Sequence, residues 1–224
     1  MSVTRIFDLL DRYISVFPGH QVLGVKTDGK WITYTSEEYY EISHDIAYGL
    51  IHSGIRPGDK VITMTNNRPE WNFLDMGISM AGAVHVPVYT SLSEEEYRYI
   101  FLHSEARMIF AGDARLYEKT LKAAEGINEI IGKYCIDPAE NLPNWTEVRE
   151  TGAINREKYR DEVKRIKESV GENDPASLIY TSGTTGTSKG VMLSHRNIVS
   201  NFLAAAEIFK LTSEDRYLSI LPLC

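Results

Sequence analysis

Between residues 61 and 136 the chain alternates short apolar runs with longer stretches of helical spacing. Residues 61–65, 83–89 and 108–111, and a core within 127–136, are the short runs. Residues 71–81, a stretch after Ser93 with Tyr97, Ile100 and Phe101 on one face, and about 113–124 are the longer ones. Strands separated by helices of this length pair in parallel through crossover connections. The expected fold is therefore α/β: mostly parallel sheets with flanking helices, in three layers. Pro87 lies inside one apolar run, so it either makes that strand an edge or ends its ladder there.

Local signals place the remaining elements. Ile6, Leu9, Leu10, Tyr13, Ile14 and Phe17 give residues 3–17 a helical face, stopped by Pro18-Gly19. Residues 21–25 and 31–34 flank Thr27-Asp28-Gly29-Lys30, a strong hairpin signal. Thr35…Glu38 and Ser93…Glu96 have capping-box spacing, and Pro69 suits a helix start. After the first box, Ile42, Ile46, Leu50 and Ile51 face inward, and the helix ends near Gly54. Residues 156–168 are densely charged, with Tyr159, Val163 and Ile166 as a narrow apolar stripe. Acids and bases interleave there, which reads as a solvated helix face. Ser194 caps a further helix expected to bury Ile198, Phe202, Leu203 and Ala206. Residues 216–224 read as an apolar strand, inside which the chain stops, as a piece of a longer polypeptide would.

The chemistry concentrates at residues 181–190. Thr181, Ser182, Gly183, Thr184, Thr185, Gly186, Thr187, Ser188 and Gly190 are all small or hydroxylic, and Lys189 is the one charge. Apolar runs at 176–180 and 191–193 make this strand–loop–strand rather than a flexible linker. Gly183, Gly186 and Gly190 tolerate φ > 0 and close approach, so several N–H groups can converge on one anion. Five hydroxyls between Thr181 and Thr187 can donate as well. A polyphosphate is the most economical partner. The pattern is not a Walker A loop, which needs Gly-Lys-Ser/Thr, and no dinucleotide fingerprint opens a helix.

Composition excludes other classes. A net charge of −7 argues against non-specific nucleic-acid binding. No apolar run approaches the 18–20 residues that span a bilayer, and the N-terminus is no signal peptide. Cys135 and Cys224, far apart, read as reduced thiols in a cytoplasmic protein. The acids and histidines lack zinc-type spacing, and Ser182 lacks a Gly-x-Ser-x-Gly frame. His85, within a strand, reads as a packed core residue. His195 reads first as structural, on the first turn of the helix capped by Ser194; a place near the nucleotide is its other reading.

The run from Tyr180 to Val191, followed by Ser194-His195-Arg196-Asn197, resembles the phosphate-loop signature of the adenylate-forming enzymes. Those include acyl- and aryl-CoA synthetases, peptide-synthetase adenylation domains and luciferases. Ser188 stands where many members have Pro, which loosens the loop without removing a ligand. Asn66-Asn67-Arg68-Pro69-Glu70-Trp71 and residues 82–93 look like the long-chain fatty acyl-CoA synthetase branch. Residues 54–61 fit the wider superfamily. The resemblance covers most of residues 20–224 and weakens across 140–168.

The resemblance implies the N-terminal portion of an AMP-binding domain, with the small C-terminal domain absent. It implies ATP-dependent activation of a carboxylate, here a long-chain fatty acid, to acyl-AMP and then acyl-CoA. ATP, CoA and Mg²⁺ follow as cofactors, with Thr181 as a hydroxyl ligand to the metal. Thr184, Thr185 and the N–H groups near Gly183 and Gly186 would clasp the β- and γ-phosphates, and Lys189 would offset charge on the leaving pyrophosphate. Later catalytic motifs are missing, so these 224 residues alone are expected to turn over nothing. A carrier-protein-loading adenylation domain and a non-catalytic nucleotide-binding module are the alternatives. A peripheral membrane contact of the parent protein stays open.

Overall fold

The computed structural model describes residues 3–181, 188–210 and 212–223. Helix α1 (Asp8–Val16) leads to a hairpin of β1 (Gln21–Thr27) and β2 (Lys30–Thr35). Asp28 and Gly29 both take positive φ, 50° and 78°, as a two-residue turn requires. The capping box of Thr35 and Glu38 forms and opens α2 (Ser36–His52). Then follow β3 (Lys60–Met64), α3 (Pro69–Met80), β4 (Val84–Pro87), α4 (Glu94–His103), β5 (Ala106–Ala111), α5 (Ala114–Ala123) and β6 (Gly132–Cys135). Helices α6 (Trp145–Ile154) and α7 (Arg156–Ser169), strands β7 (Pro175–Thr181) and β8 (Lys189–Ser194), and α8 (His195–Phe209) complete the order.

One six-stranded sheet organises the molecule, in the order β6-β5-β3-β4-β7-β8. All its pairings are parallel except β7 with β8. Alternate residues of each strand feed opposite cores. Val61, Met108 and Phe110 join α2, α3 and α6 on one face, while Ile62, Met64 and Ile109 join α4 and α5 on the other. This is the expected three-layer α/β arrangement.

Four expectations need correction. The first helix begins at Asp8, not residue 3, because Thr4 N and Arg5 N donate to Asp8 Oδ2 at 3.0 and 2.9 Å instead of continuing a helix. β4 is an interior strand, so Pro87 does not mark an edge; the ladder ends there. Val84 N and Val88 N donate to Asp59 O and Thr63 O on the β3 side, so residue 87 turns toward β7, where proline has no N–H to offer. Helix α8 buries only His195 and Val199. Leu203 is 45% exposed and Ala206 is exposed as well. Residues 216–223 form no strand; they run extended and mostly exposed across the loop after β3. The helix at 156–169 does bury Val163, with Tyr159 and Ile166 half-covered.

Candidate nucleotide site at the open end of the sheet

The loop of interest joins two antiparallel strands. Thr181 pairs with Lys189, and Tyr180 with Gly190. Because β7 lies parallel to β3, β4 and β5, this hairpin tip points to the carboxyl edge of the sheet. Ser182, Gly183, Thr184, Thr185, Gly186 and Thr187 lie outside the described residues. Thr181 and Lys189 are exposed. Among the described residues Lys189 has no carboxylate partner. Gly190 differs from the expectation. It keeps an ordinary backbone conformation inside the ladder; its α-carbon lies against Leu178, whose Cδ1 would sit 2.9 Å from an added Cβ.

The same edge carries the crevice where chain connections diverge. The segment after β3 runs toward β4, and the segment after β5 runs toward β6. Open α/β sheets bind ligands at such switch points. Here Thr65, Asn66, Asn67 and Arg68 face Gly112 and Asp113 across a cleft of about 260 Å³. An adjoining cleft of about 340 Å³ shares Thr65, Asn66 and Asn67 and reaches Tyr89, Thr90 and Ser219. Arg68 is held by Glu70 and Asp137, each at 2.8 Å, so it braces the cleft rather than offering a free charge. Asn67 holds the extended segment: its Nδ2 donates to Ser219 O and Leu221 O at 3.1 and 2.6 Å, and its Oδ1 accepts from Leu223 N at 3.2 Å.

Neither histidine singled out in the sequence reaches the hairpin tip. His85 is 1% exposed, with Nδ1 2.7 Å from Asp75 Oδ1, Nε2 2.8 Å from Thr63 Oγ1, and Trp71 beside its ring. His195 is buried, and its Nδ1 accepts from Ile6 N at 3.3 Å. Burial lowers its pKa, so the ring stays neutral and serves as an anchor for the N-terminal segment. Sequence reasoning missed Tyr99 and His103 of α4, which lie against the stem of the hairpin. Their only signal was an aromatic pair at i, i+4. No group of three His, Cys, Asp or Glu among the described residues could hold a metal ion. No described helix is long and apolar enough to cross a membrane.

Residues 10–224 of the chain match a family model described as AMP-binding enzyme. The chain belongs to the AMP-binding enzyme family. A long-chain-fatty-acid–CoA ligase of Mycobacterium bovis, FadD15, is 32% identical over 203 residues, which is 88% of this chain and 32% of that protein. A human long-chain-fatty-acid–CoA ligase, ACSBG2, is 31% identical over 216 residues, covering 94% of this chain and 32% of that protein. The chain thus spans about a third of the length of these AMP-binding relatives. Among solved structures, a long-chain-fatty-acid-CoA ligase (FadD1) of Archaeoglobus fulgidus matches with a TM-score of 0.76 at 23% identity, over 96% of this chain and 41% of that one. Mycobacterium smegmatis MbtA also gives 0.76 at 23% identity, over 99% of this chain and 39% of its own. At that identity the structures share the fold of an AMP-binding domain's N-terminal part.

Proposed function

We propose that the full-length protein joins a long-chain fatty acid to CoA through an acyl-AMP, with release of pyrophosphate. The carrying observation is the hairpin tip: a hydroxyl- and glycine-rich loop bounded by Thr181 and Lys189, at the sheet edge where α/β proteins bind ligands. In the first half-reaction a carboxylate oxygen attacks the α-phosphorus, the bond to the pyrophosphate oxygen breaks, and the electron pair leaves with pyrophosphate. Charge grows on the departing oxygens, so fixed cations and N–H donors lower the barrier more than any covalent residue could. Lys189, exposed and without a carboxylate partner among the described residues, is the cation this reading assigns to that charge. The names of the relatives support a fatty acid as substrate and CoA as acceptor.

Mg²⁺ fits this site as a companion of the nucleotide rather than as a resident of the protein. The described residues supply no carboxylate cluster, and Mg²⁺ commonly takes most of its ligands from phosphate oxygens and water. Thr181 would contribute a hydroxyl at most. The test is Lys189→Ala in the full-length protein, assayed by pyrophosphate exchange with MgATP and a series of fatty acids. The exchange rate should fall by about 10²–10³-fold, the scale of losing one preorganised donor. An unchanged rate removes Lys189 from the reaction. A wild-type protein that neither binds MgATP nor releases pyrophosphate overturns the whole reading.

A further inference from the structure

Both stems of the hairpin tip are fastened to one helix. Tyr180, the residue before Thr181, is buried, and its Oη lies 2.7 Å from His103 Nδ1. Burial pushes the Tyr180 phenol up to about 12, so it stays a neutral hydrogen-bonding group. On the other stem Ser188, the residue before Lys189, accepts a hydrogen bond at its carbonyl from Tyr99 Oη at 3.0 Å. Tyr99 and His103 are four residues apart on α4, so their rings stack, with centroids 5.3 Å apart. The Tyr180 ring meets both edge-on, at 6.5 Å from Tyr99 and 5.6 Å from His103. One three-ring cluster therefore ties residues 180 and 188 to the same helical turn.

The helix that provides the tie is itself firmly held. Its capping box of Ser93 and Glu96 is complete. Tyr97, Ile100 and Phe101 are wholly buried. Arg98 donates to Ala123 O and Glu125 O, at 3.1 and 2.6 Å, which fixes α4 to the end of α5. The sheet does much less for the hairpin. β4 pairs with β7 only at His85 and Ser177, and Pro87 offers β7 no N–H beyond that point. Above Ser177 the ladder of β7 runs with β8, and α4 is the support behind it.

We propose that Tyr99 and His103 are positioning residues for ATP. They fix the paired Thr181 and Lys189 against α4, and so place the Lys189 ammonium against the polyphosphate. This rests on reading residues 181–190 as the nucleotide loop. Tyr99 is half-buried and His103 exposed, so neither is a core residue whose loss would unfold the domain. Their contribution falls on loop placement.

The experiment uses the full-length protein, with MgATP-dependent pyrophosphate exchange and thermal unfolding measured on each variant. Tyr99→Phe removes one hydroxyl and His103→Ala removes one ring. Each should raise the KM for ATP by about tenfold, the fold-change of roughly one hydrogen bond. The KM for the fatty acid and the unfolding temperature should stay near wild type. His103→Asn, whose amide can occupy the place of Nδ1, should restore most of the ATP affinity. The proposal is overturned if both variants keep the wild-type KM for ATP, if activity falls only in step with unfolding temperature, or if His103→Asn is no better than His103→Ala. A wild-type protein indifferent to MgATP would instead sink the nucleotide-loop reading itself, before any variant is compared.

Discussion

Replacing Gly152 by Ala should destabilise the domain through the crossing of α2 and α6. At this crossing two glycines let the backbones touch. A Cβ on Gly152 would lie 1.8 Å from Asp45 O, and one on Gly49 would lie 1.9 Å from Val148 O. Neither obstacle is a side-chain end that could swing aside. To restore an ordinary 3.4 Å contact, α6 must retreat from α2 by about 1.6 Å. A gap of even 0.5–1 Å forfeits about a quarter to a half of each dispersion contact. The residues that lose contact are Trp145 and Val148, both buried, with Trp145 stacked on Phe73. Halving the burial of two such side chains costs about 3 kcal/mol. Ala returns about 1 kcal/mol of helix propensity. The net loss is about 2 kcal/mol, or about 4–8 °C in the unfolding temperature of a chain of this size. Calorimetry or circular dichroism on Gly152→Ala and Gly49→Ala measures it directly. Gly171→Ala is the control, since its Cβ would meet nothing nearer than Asp174 Oδ2 at 3.7 Å. The double variant Gly49→Ala/Gly152→Ala should cost clearly less than the sum, because one retreat relieves both clashes. A Gly152→Ala protein that melts with wild type, or strict additivity in the double variant, would refute the reasoning.

Two other outcomes follow from the same packing. His44 is 8% exposed, its Nδ1–H donates to Tyr40 O at 2.8 Å, and burial, with help from Lys167, lowers its pKa to about 4. An unfolded histidine titrates near 6.5, so the neutral ring stabilises the fold above that pH, and the benefit drains away as pH falls from about 6.5 through 4, on the order of 3 kcal/mol in full. The urea midpoint should therefore fall less between pH 7.5 and pH 4.5 for His44→Gln than for wild type, and an equal fall would contradict the assignment. Asn67→Ala should speed tryptic cleavage after Arg216 several-fold while shifting the global midpoint by less than about 1 kcal/mol, since Asn67 is what holds Ser219, Leu221 and Leu223. An unaltered cleavage rate would mean that the segment is held elsewhere.

Local rules made much of this fold legible. The capping boxes at Thr35 and Ser93, the Asp28-Gly29 turn and the helix start at Pro69 depend on neighbours within four residues, and all are present. What depends on distant partners was not legible. The strand order, with β5 crossing back beyond β3, has no signature in residues 84–111. Helix α6 went unread although Asn144 and Glu147 form a capping box, and the close packing of Gly152 on Asp45 O has no local signature. The apolar positions of α8 promised a buried stripe, yet Ile198 and Phe202 are only half-covered, Leu203 stands 45% exposed and Ala206 is exposed as well. Periodicity announces which face can be covered, not what covers it. Tyr99 and His103 were invisible for the opposite reason: two polar aromatics on a half-exposed helix suggest nothing until Tyr180 and Ser188 arrive from 77 and 89 residues away.

The topology also bears on why the proposed site would lean on a single lysine. In the familiar phosphate-binding α/β units a helix follows the strand, and its N-terminus supplies converging N–H groups and about half a positive charge. In this chain β7 is followed by β8, which turns straight back. Only Ser188 and the six residues 182–187 separate the strands. The next helix, α8, is capped by Ser194, and Ser194 pairs with Pro175 at the far end of the hairpin, roughly 20 Å from Thr181 along the strand. Its N-terminal field is spent at the wrong edge of the sheet. A polyphosphate at this loop would thus lack the macrodipole and depend on local N–H groups, hydroxyls and one full charge. Hydroxyls are replaceable by water or by each other; the Lys189 ammonium is not. Losing Lys189 should therefore cost more than losing any one of the loop's Ser or Thr side chains. For the same reason a device that holds the Thr181–Lys189 pair in place is worth building into α4.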